Sequence, residues 1–404
     1  MTISVPAAPA QEGATRPAVA EVFVHAAAQI HRAAAEIWPG TPVRLEAHVP
    51  SVTAYVHRAR VGERTLYAKT SFLGVSLVSL LRGACGPWPT VLEAQREYVT
   101  RPDGLLPREA AQLRVLAGLD RPRVCAVAGI SQGVLFTEPV TGPSLGDLMM
   151  ARPGDTADLL ALAFAELRPL HRSGAAQRLD PAGAIGERSI AGTFLRKFNG
   201  LSGAVYMVRV GEERCEASAR AELAELVLHS VDRLRMMLPA TKATTLAYGD
   251  LKPEHVVFPD GADGRPALLD PGLLRAGPMV DVAKLLSRSV LFLAAHRPSP
   301  LTCRLIVDGL AEFAEGRAMR LPGKDRRLRL RDLLTLWLMD TVNILTTYLS
   351  APAGLPLPVL GLVLVERAVP VLRMVDAVSA DLANGVAEHG VWDGALRRAL
   401  EVIS

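Results

Sequence analysis

The sequence predicts an α+β fold of two lobes, a small antiparallel sheet lobe followed by a larger and mostly helical one. Three observations carry this expectation. The chain has 404 residues, beyond the size at which a single hydrophobic core keeps growing. Short runs rich in β-branched and aromatic residues fill the first third and are separated by turn signals. Beyond "TGPSLGDLMMARPG", a connection punctuated by Gly and Pro, apolar residues recur mainly at helical spacing. The predicted organisation is a disordered tail over 1–17, a sheet lobe with an N-terminal helix over 18–140, and a helical lobe over 141–404.

Taken in order, "AVAEVFVHAAAQIHRAAAEIW" repeats apolar residues with helical period and ends before Pro39-Gly40. The strand runs "VRLEAHV", "TAYVHRARV" and "RTLYAKTSF" follow, the last two joined through the hairpin signal "GER". An apolar run, "GVSLVSLLRGACGPWP", precedes two helices, "TVLEAQREYV" and "LPREAAQLRVLAGL", the second with Pro107 in its first turn. Two further strands, "RVCAVAGI" and "GVLFTEPV", complete the lobe. The second lobe reads as helices, including "TADLLALAFAELRPLHRSG", "ERCEASARAELAELVLHSVDRLRMML" and "MVDVAKLLSRSVLFLAAH". Its exception is "LAYGDLKPEHVVFPDGADGRPALLDPGL", which reads as turns alternating with short strands.

Composition narrows the function. The net charge is +4 with both signs interspersed, which permits an anionic ligand but marks no nucleic-acid surface. Cys85, Cys125, Cys215 and Cys303 are too scattered for a metal motif and read as reduced cytosolic thiols. The N-terminus lacks the basic and apolar regions of a signal peptide. The uncharged stretch Thr341–Val365 is interrupted by prolines, so it is expected to form a buried helix, a Pro-rich turn and a second buried helix, with no membrane span. Basic residues are overwhelmingly arginine, with lysine only at 69, 197, 242, 252, 284 and 324, so the position of each lysine invites a reason.

Two aspartates carry the chemistry. Asp250 precedes Lys252 and Pro253 in a polar turn, which would hold a carboxylate and an ammonium close together. Asp270 follows the apolar "PALL", where a buried charge needs a partner, and a metal ion is one that suits it. A carboxylate facing a hydroxyl, a lysine beside a moving phosphate and a second carboxylate on Mg2+ are the equipment of phosphoryl transfer.

The segment "YGDLKPEHVV" with "LLDPG" resembles the catalytic and metal-binding loops of the aminoglycoside phosphotransferase and choline kinase-like family, within the protein kinase-like fold. The family's usual pattern there is H-G-D-x-x-x-x-N, then a strand and I-D, and "DLKPE" is also similar to the catalytic loop of Ser/Thr protein kinases. The resemblance implies that Asp250 orients or deprotonates an acceptor hydroxyl, Lys252 offsets charge on the phosphoryl group, and Asp270 holds Mg2+. It further implies that Lys69, in "LYAKTSF", grips the phosphates of ATP and is placed by Glu109 in "REAAQL". Backbone groups near Glu138 to Val140 would meet adenine. The family's "LHxxG" helix end is matched by "LHRSG", and its later helix start by "VDVAKLL", where Asp281 would brace the catalytic loop.

Three positions depart from that pattern. No glycine-rich loop joins the first two strands, and Ser51 and Thr53 stand where hydroxyl and backbone N–H groups would meet phosphates. Tyr248 replaces the usual His. His255 replaces the Asn that gives an amide oxygen to the metal, so it is a candidate metal ligand beside Asp270 or a hydrogen-bond partner of Asp250 or a phosphate.

The resemblance implies an ATP- and Mg2+-dependent O-phosphotransferase acting on an alcohol of a natural product or on a peptide Ser/Thr. An aminoglycoside resistance kinase and a non-catalytic nucleotide-binding scaffold are the alternatives. Basic residues are at least as abundant as acidic ones in the helical lobe, which weakens the aminoglycoside reading. The insertions Gly74–Leu105 and Ile185–Lys242 leave room for a sizeable acceptor. The apolar run in the first of them is suited either to a partner protein or to the lobe's own core.

Overall fold

The computed structural model of the chain describes residues 16–180, 183–186, 188–239, 244–318 and 322–403. Of the expected tail, residues 1–15 lie outside the described residues, as does Lys242.

The first helix, Val19–Ile37, buries Val22, Ala26, Ile30, Ala33 and Ala34, the stripe its periodicity sets, and lies against the sheet that follows. That sheet is five-stranded in the order β1-β2-β3-β6-β5. Its strands are β1 (Val43–Val49), β2 (Tyr55–Val61), β3 (Arg64–Thr70), β5 (Val127–Ser131) and β6 (Val134–Thr137), all paired antiparallel. Register sets Lys69 of β3 opposite Val56 of β2 and Leu135 of β6. The central position of β3 makes Lys69 a fixed point.

The run "RVCAVAGI", expected as one strand, is divided. β4 (Arg123–Val124) leaves the sheet to pair in parallel with β9 (Ala267–Leu268), and Cys125 between β4 and β5 is buried with Leu106, Ala110, Leu113 and Leu135. Packing of that small cluster outweighs the continuous strand propensity. The apolar run after Gly74 contributes the helix Leu77–Leu81, and Leu77, Val78, Leu80 and Leu81 are buried in the protein's own core.

The second lobe is helical. The helix Met279–His296 coincides with its sequence expectation, and the helix Gly323–Leu349 is 27 residues long. The two pack side by side, and Ile190–Phe198 lies on the second of them. The expected second buried helix, Val359–Glu366, is buried only at Gly361 and Leu364, with Val359 and Leu362 exposed. No helix among the described residues is long and apolar enough to cross a membrane.

Between the lobes, Glu166 is fully buried and accepts from Arg121 at 2.7 Å, from the Arg123 amide at 3.0 Å and from Arg265 at 2.9 and 3.0 Å. These charge-assisted bonds tie β4 and the segment leading into β9 to the helical lobe.

Candidate active site

The stretch from Leu246 folds as β7 (Leu246–Ala247), a turn of 3-10 helix at Pro253–His255, then β8 (Val256–Val257), β9 and β10 (Leu274–Arg275). β8 pairs with β9 and β7 with β10. Two aspartates twenty residues apart thereby come to lie on adjoining loops. The loops are joined by backbone bonds from the Leu269 amide to the His255 carbonyl and from the Gly272 amide to the Tyr248 carbonyl, both 2.9 Å. Tyr248, fully buried, donates its hydroxyl to the Leu269 carbonyl at 3.0 Å. Gly249 has φ +90°, and a Cβ there would meet the Gly272 carbonyl oxygen at 2.2 Å, so only glycine permits this approach.

Asp281, at the start of the Met279–His296 helix and fully buried, accepts from the Tyr248 and Gly249 amides at 2.9 Å each. His171 lies 3.0 Å from the same carboxylate. The backbone ahead of Asp250 is therefore held by a carboxylate that its own amides satisfy.

On the sheet side, the Lys69 ammonium donates to both oxygens of Glu109 at 2.8 and 2.9 Å and lies 3.5 Å from Asp270. Glu109 sits on the Leu105–Ala117 helix, where it is buried. Burial alone would pull the Lys69 ammonium down, but the carboxylates of Asp270 and Glu109 hold it above its ordinary range. Burial pushes Glu109 up, opposed by Lys69. Asp270 has φ +50°, a left-handed conformation that costs a non-glycine residue strain energy. Its carboxylate is nearly half exposed, and Lys69 and His255 hold it below the usual range against the opposing effect of burial.

His255 Nε2 stands 3.5 Å from Asp270, while its Nδ1 is buried with no hydrogen-bond partner among the described residues. Burial, and then the neighbouring Lys252, lower the imidazole to about 4. Among the described residues no three His, Cys, Asp or Glu side chains converge as a metal-binding group.

Asp250 opens toward solvent. Burial tends to raise it, but Lys284 and Lys252 hold it far below the usual carboxylate range. Lys284 Nζ is 3.4 Å from Asp250 and 2.9 Å from Asp340. Arg288 donates to Asp340 at 2.7 and 3.3 Å. Sequence reasoning missed this cluster, although a lone aspartate inside the apolar "LLTLWLMDTVNILTTYL" signals a buried charge in need of partners.

Lys69, Glu109, Asp270, His255, Asp250 and Lys252 are thus brought together. Ser51 and Thr53 share a hydrogen bond of 3.2 Å within the loop between β1 and β2, with no contact to the other six among the described hydrogen bonds. Glu138 directs its carboxylate to Arg64, and its amide donates to the Ala126 carbonyl at 2.9 Å. Val140 packs on the cluster around Cys125. Among the described residues, the Glu138 carbonyl and the Val140 amide have no backbone partner, an acceptor and a donor two residues apart.

The profile of the phosphotransferase enzyme family (APH) matches residues 90–321. No curated protein sequence matches the chain significantly. Among solved structures, the chain is similar to the GDP and kanamycin complex of an aminoglycoside 2''-phosphotransferase, with 15% identity, TM-score 0.49, and coverage of 86% of this chain and 98% of that one. It is also similar to a choline kinase from Streptococcus pneumoniae, with 14% identity, TM-score 0.43, and coverage of 86% and 99%. A third is an ethanolamine kinase from Plasmodium vivax, with 10% identity, TM-score 0.45, and coverage of 84% and 85%.

Proposed function

This chain belongs to the phosphotransferase enzyme family, kinases with an alcohol group as acceptor, and we propose that it transfers the γ-phosphate of ATP to the hydroxyl of a natural product or of a peptide Ser/Thr. The observation that carries this reading is the line of charges across the cleft. The Lys69–Glu109 pair adjoins Asp270 at 3.5 Å, and Asp250 stands on the loop that is bonded to the Asp270 loop.

In this reading Lys69, held by Glu109, grips the α- and β-phosphates, and the Glu138 carbonyl and Val140 amide receive the adenine edge. Ser51 and Thr53 have amides and hydroxyls near the same end of the sheet and cover the phosphates with a stiffer flap than a glycine-rich loop. Lys252 offsets the charge of the moving phosphoryl group. Asp250, held so far below the usual carboxylate range by Lys284 and Lys252, is a weak base. It therefore orients the acceptor hydroxyl and takes its proton only as the new bond to phosphorus forms.

Of the two candidate metal ligands, Asp270 fits magnesium, being an ionised and partly exposed oxygen donor. His255 offers nitrogen, with Nδ1 enclosed and Nε2 turned toward Asp270, and its part is to position that carboxylate. Magnesium, when bound, supplies positive charge that offsets the phosphate oxygens.

The test is Asp250→Asn in the full-length protein, with ATP turnover and nucleotide affinity measured separately. Loss of turnover by at least about a hundredfold with nucleotide affinity unchanged is expected. Turnover equal to that of the wild type sinks the assignment.

A further inference from the structure

Three lysines of a lysine-poor chain lie around Asp250 and Asp340. Lys252 and Lys284 flank Asp250, and Lys197 lies farther along the same wall. The Ile190–Phe198 helix delivers Lys197 to the Gly323–Leu349 helix, where its ammonium donates to the Asn343 carbonyl at 2.7 Å and to the Thr347 hydroxyl at 2.8 Å. Asp340, Asn343 and Thr347 share one helix face, and one turn rises about 5 Å. Lys197 therefore sits one to two turns along this helix from the Asp340 cluster.

The charges on this wall do not balance. Lys284 and Arg288 share Asp340, and Lys284 also reaches Asp250. Lys197 and Lys252 have no carboxylate within ion-pair distance among the described residues. Lys197 has used two of its three N–H donors on uncharged oxygens, and burial lowers it well below an ordinary lysine, with Arg82 and Arg288 adding to the effect. The Tyr206 ring stands 4.9 Å from Lys197 and 4.7 Å from the Arg82 guanidinium. Arg82 Nη1 is buried without a hydrogen-bond partner among the described residues. Exposed Glu254, near Tyr348, and exposed Glu212, near Arg82, are further carboxylates adjoining these groups. A buried lysine without a counter-charge is costly to keep protonated, and an arriving anion favours its charged form.

We propose that Lys197, Arg288, Lys284 and Lys252 form an anion-binding acceptor subsite, so that the alcohol phosphorylated here carries a carboxylate or phosphate group near its hydroxyl. The inference rests on the reading of Asp250 as the residue facing the acceptor. It selects against polycationic acceptors, which this wall repels, and favours hydroxy acids, phosphorylated alcohols and Ser/Thr flanked by acidic residues.

The experiment titrates citrate, and separately spermidine, into full-length protein saturated with magnesium and a non-hydrolysable ATP analogue, so that the nucleotide's own phosphate site is filled. Citrate is expected to bind and spermidine not. Lys197→Met should weaken citrate roughly tenfold to a hundredfold, the worth of a charge-assisted bond, and Lys197→Arg should keep most of the affinity. Thermal melting of Lys197→Met should be unchanged or raised, since it deletes a buried amine that lacks a counter-ion. Lys197→Gln serves if that variant does not fold.

A second arm compares Asp250-dependent transfer to small hydroxy acids and to acidic serine peptides with transfer to their amide counterparts, which separates the two sources of the anion. Spermidine binding in place of citrate, citrate affinity indifferent to Lys197, or amide acceptors preferred over acids each overturns the subsite. Citrate binding that depends on Lys197 without any Asp250-dependent turnover overturns the kinase assignment and leaves the subsite standing.

Discussion

Removing the Asp340 carboxylate should be among the most damaging single changes in the helical lobe. Its side chain is 2% exposed and those of its partners Lys284 and Arg288 are 12% and 14% exposed. It accepts three bonds, at 2.9 Å from Lys284 and at 2.7 and 3.3 Å from Arg288. Asp340→Ala leaves two buried cations facing one another, which costs about 3–5 kcal/mol. By contrast, Asp340→Ala combined with Lys284→Met and Arg288→Met removes the charges together and should recover most of that loss, because apolar groups of similar size replace a buried ion cluster at little net cost. Urea unfolding followed by circular dichroism, with the slope compared among variants, reads the difference as a shift of midpoint at constant slope. A cost below about 1 kcal/mol for Asp340→Ala, or a triple variant no more stable than the single one, refutes the reasoning. Freed from Asp340, Lys284 also has only Asp250 to pair with, so ATP turnover of Asp340→Ala should fall even where the protein remains folded.

Other outcomes follow from the same geometry. Asp281→Ala strands the buried Tyr248 amide and the part-buried Gly249 amide and should cost about 2–5 kcal/mol by the same unfolding measurement, with turnover falling more than nucleotide affinity. Lys69→Met should weaken ATP-analogue binding by about 1.5–3 kcal/mol in calorimetry while leaving the Asp250 side of the site intact; unchanged affinity would show that the phosphates lie elsewhere. His255 is lowered to about 4 from an ordinary value of 6.5, so the unfolded chain takes up its proton first, and stability present above pH 6.5 is lost as pH falls toward 4. Wild type should therefore lose about 2 kcal/mol more than His255→Gln between about pH 7.5 and pH 5. Glu109, which is raised, changes stability in the opposite sense, but it is common to both proteins and cancels in the difference.

The division between what was legible in the sequence and what was not follows the range of the interactions. Period and turn chemistry are local, so the Met279–His296 helix and the β2–β3 hairpin were readable from their own residues. The loops of Asp250 and Asp270 were readable because phosphoryl transfer demands particular residue types at short spacing, and Lys69 stood out because lysine is rare in this chain. The break of "RVCAVAGI" into two strands was not readable, because it depends on Cys125 finding a pocket among Leu106, Ala110 and Leu135.

Long-range charge pairing lay furthest from view. Lys284 meets Asp340 across 56 residues and Lys197 meets Asn343 across 146, and no local pattern specifies either. The sequence by itself determined the two-lobed α+β class and singled out the two aspartates, since both are written in neighbouring residues. Tertiary structure alone decided which charges surround Asp250, because that depends on which helices pack beneath it. The same packing set Lys284 and Arg288 against Asp340 and Lys197 against Asn343.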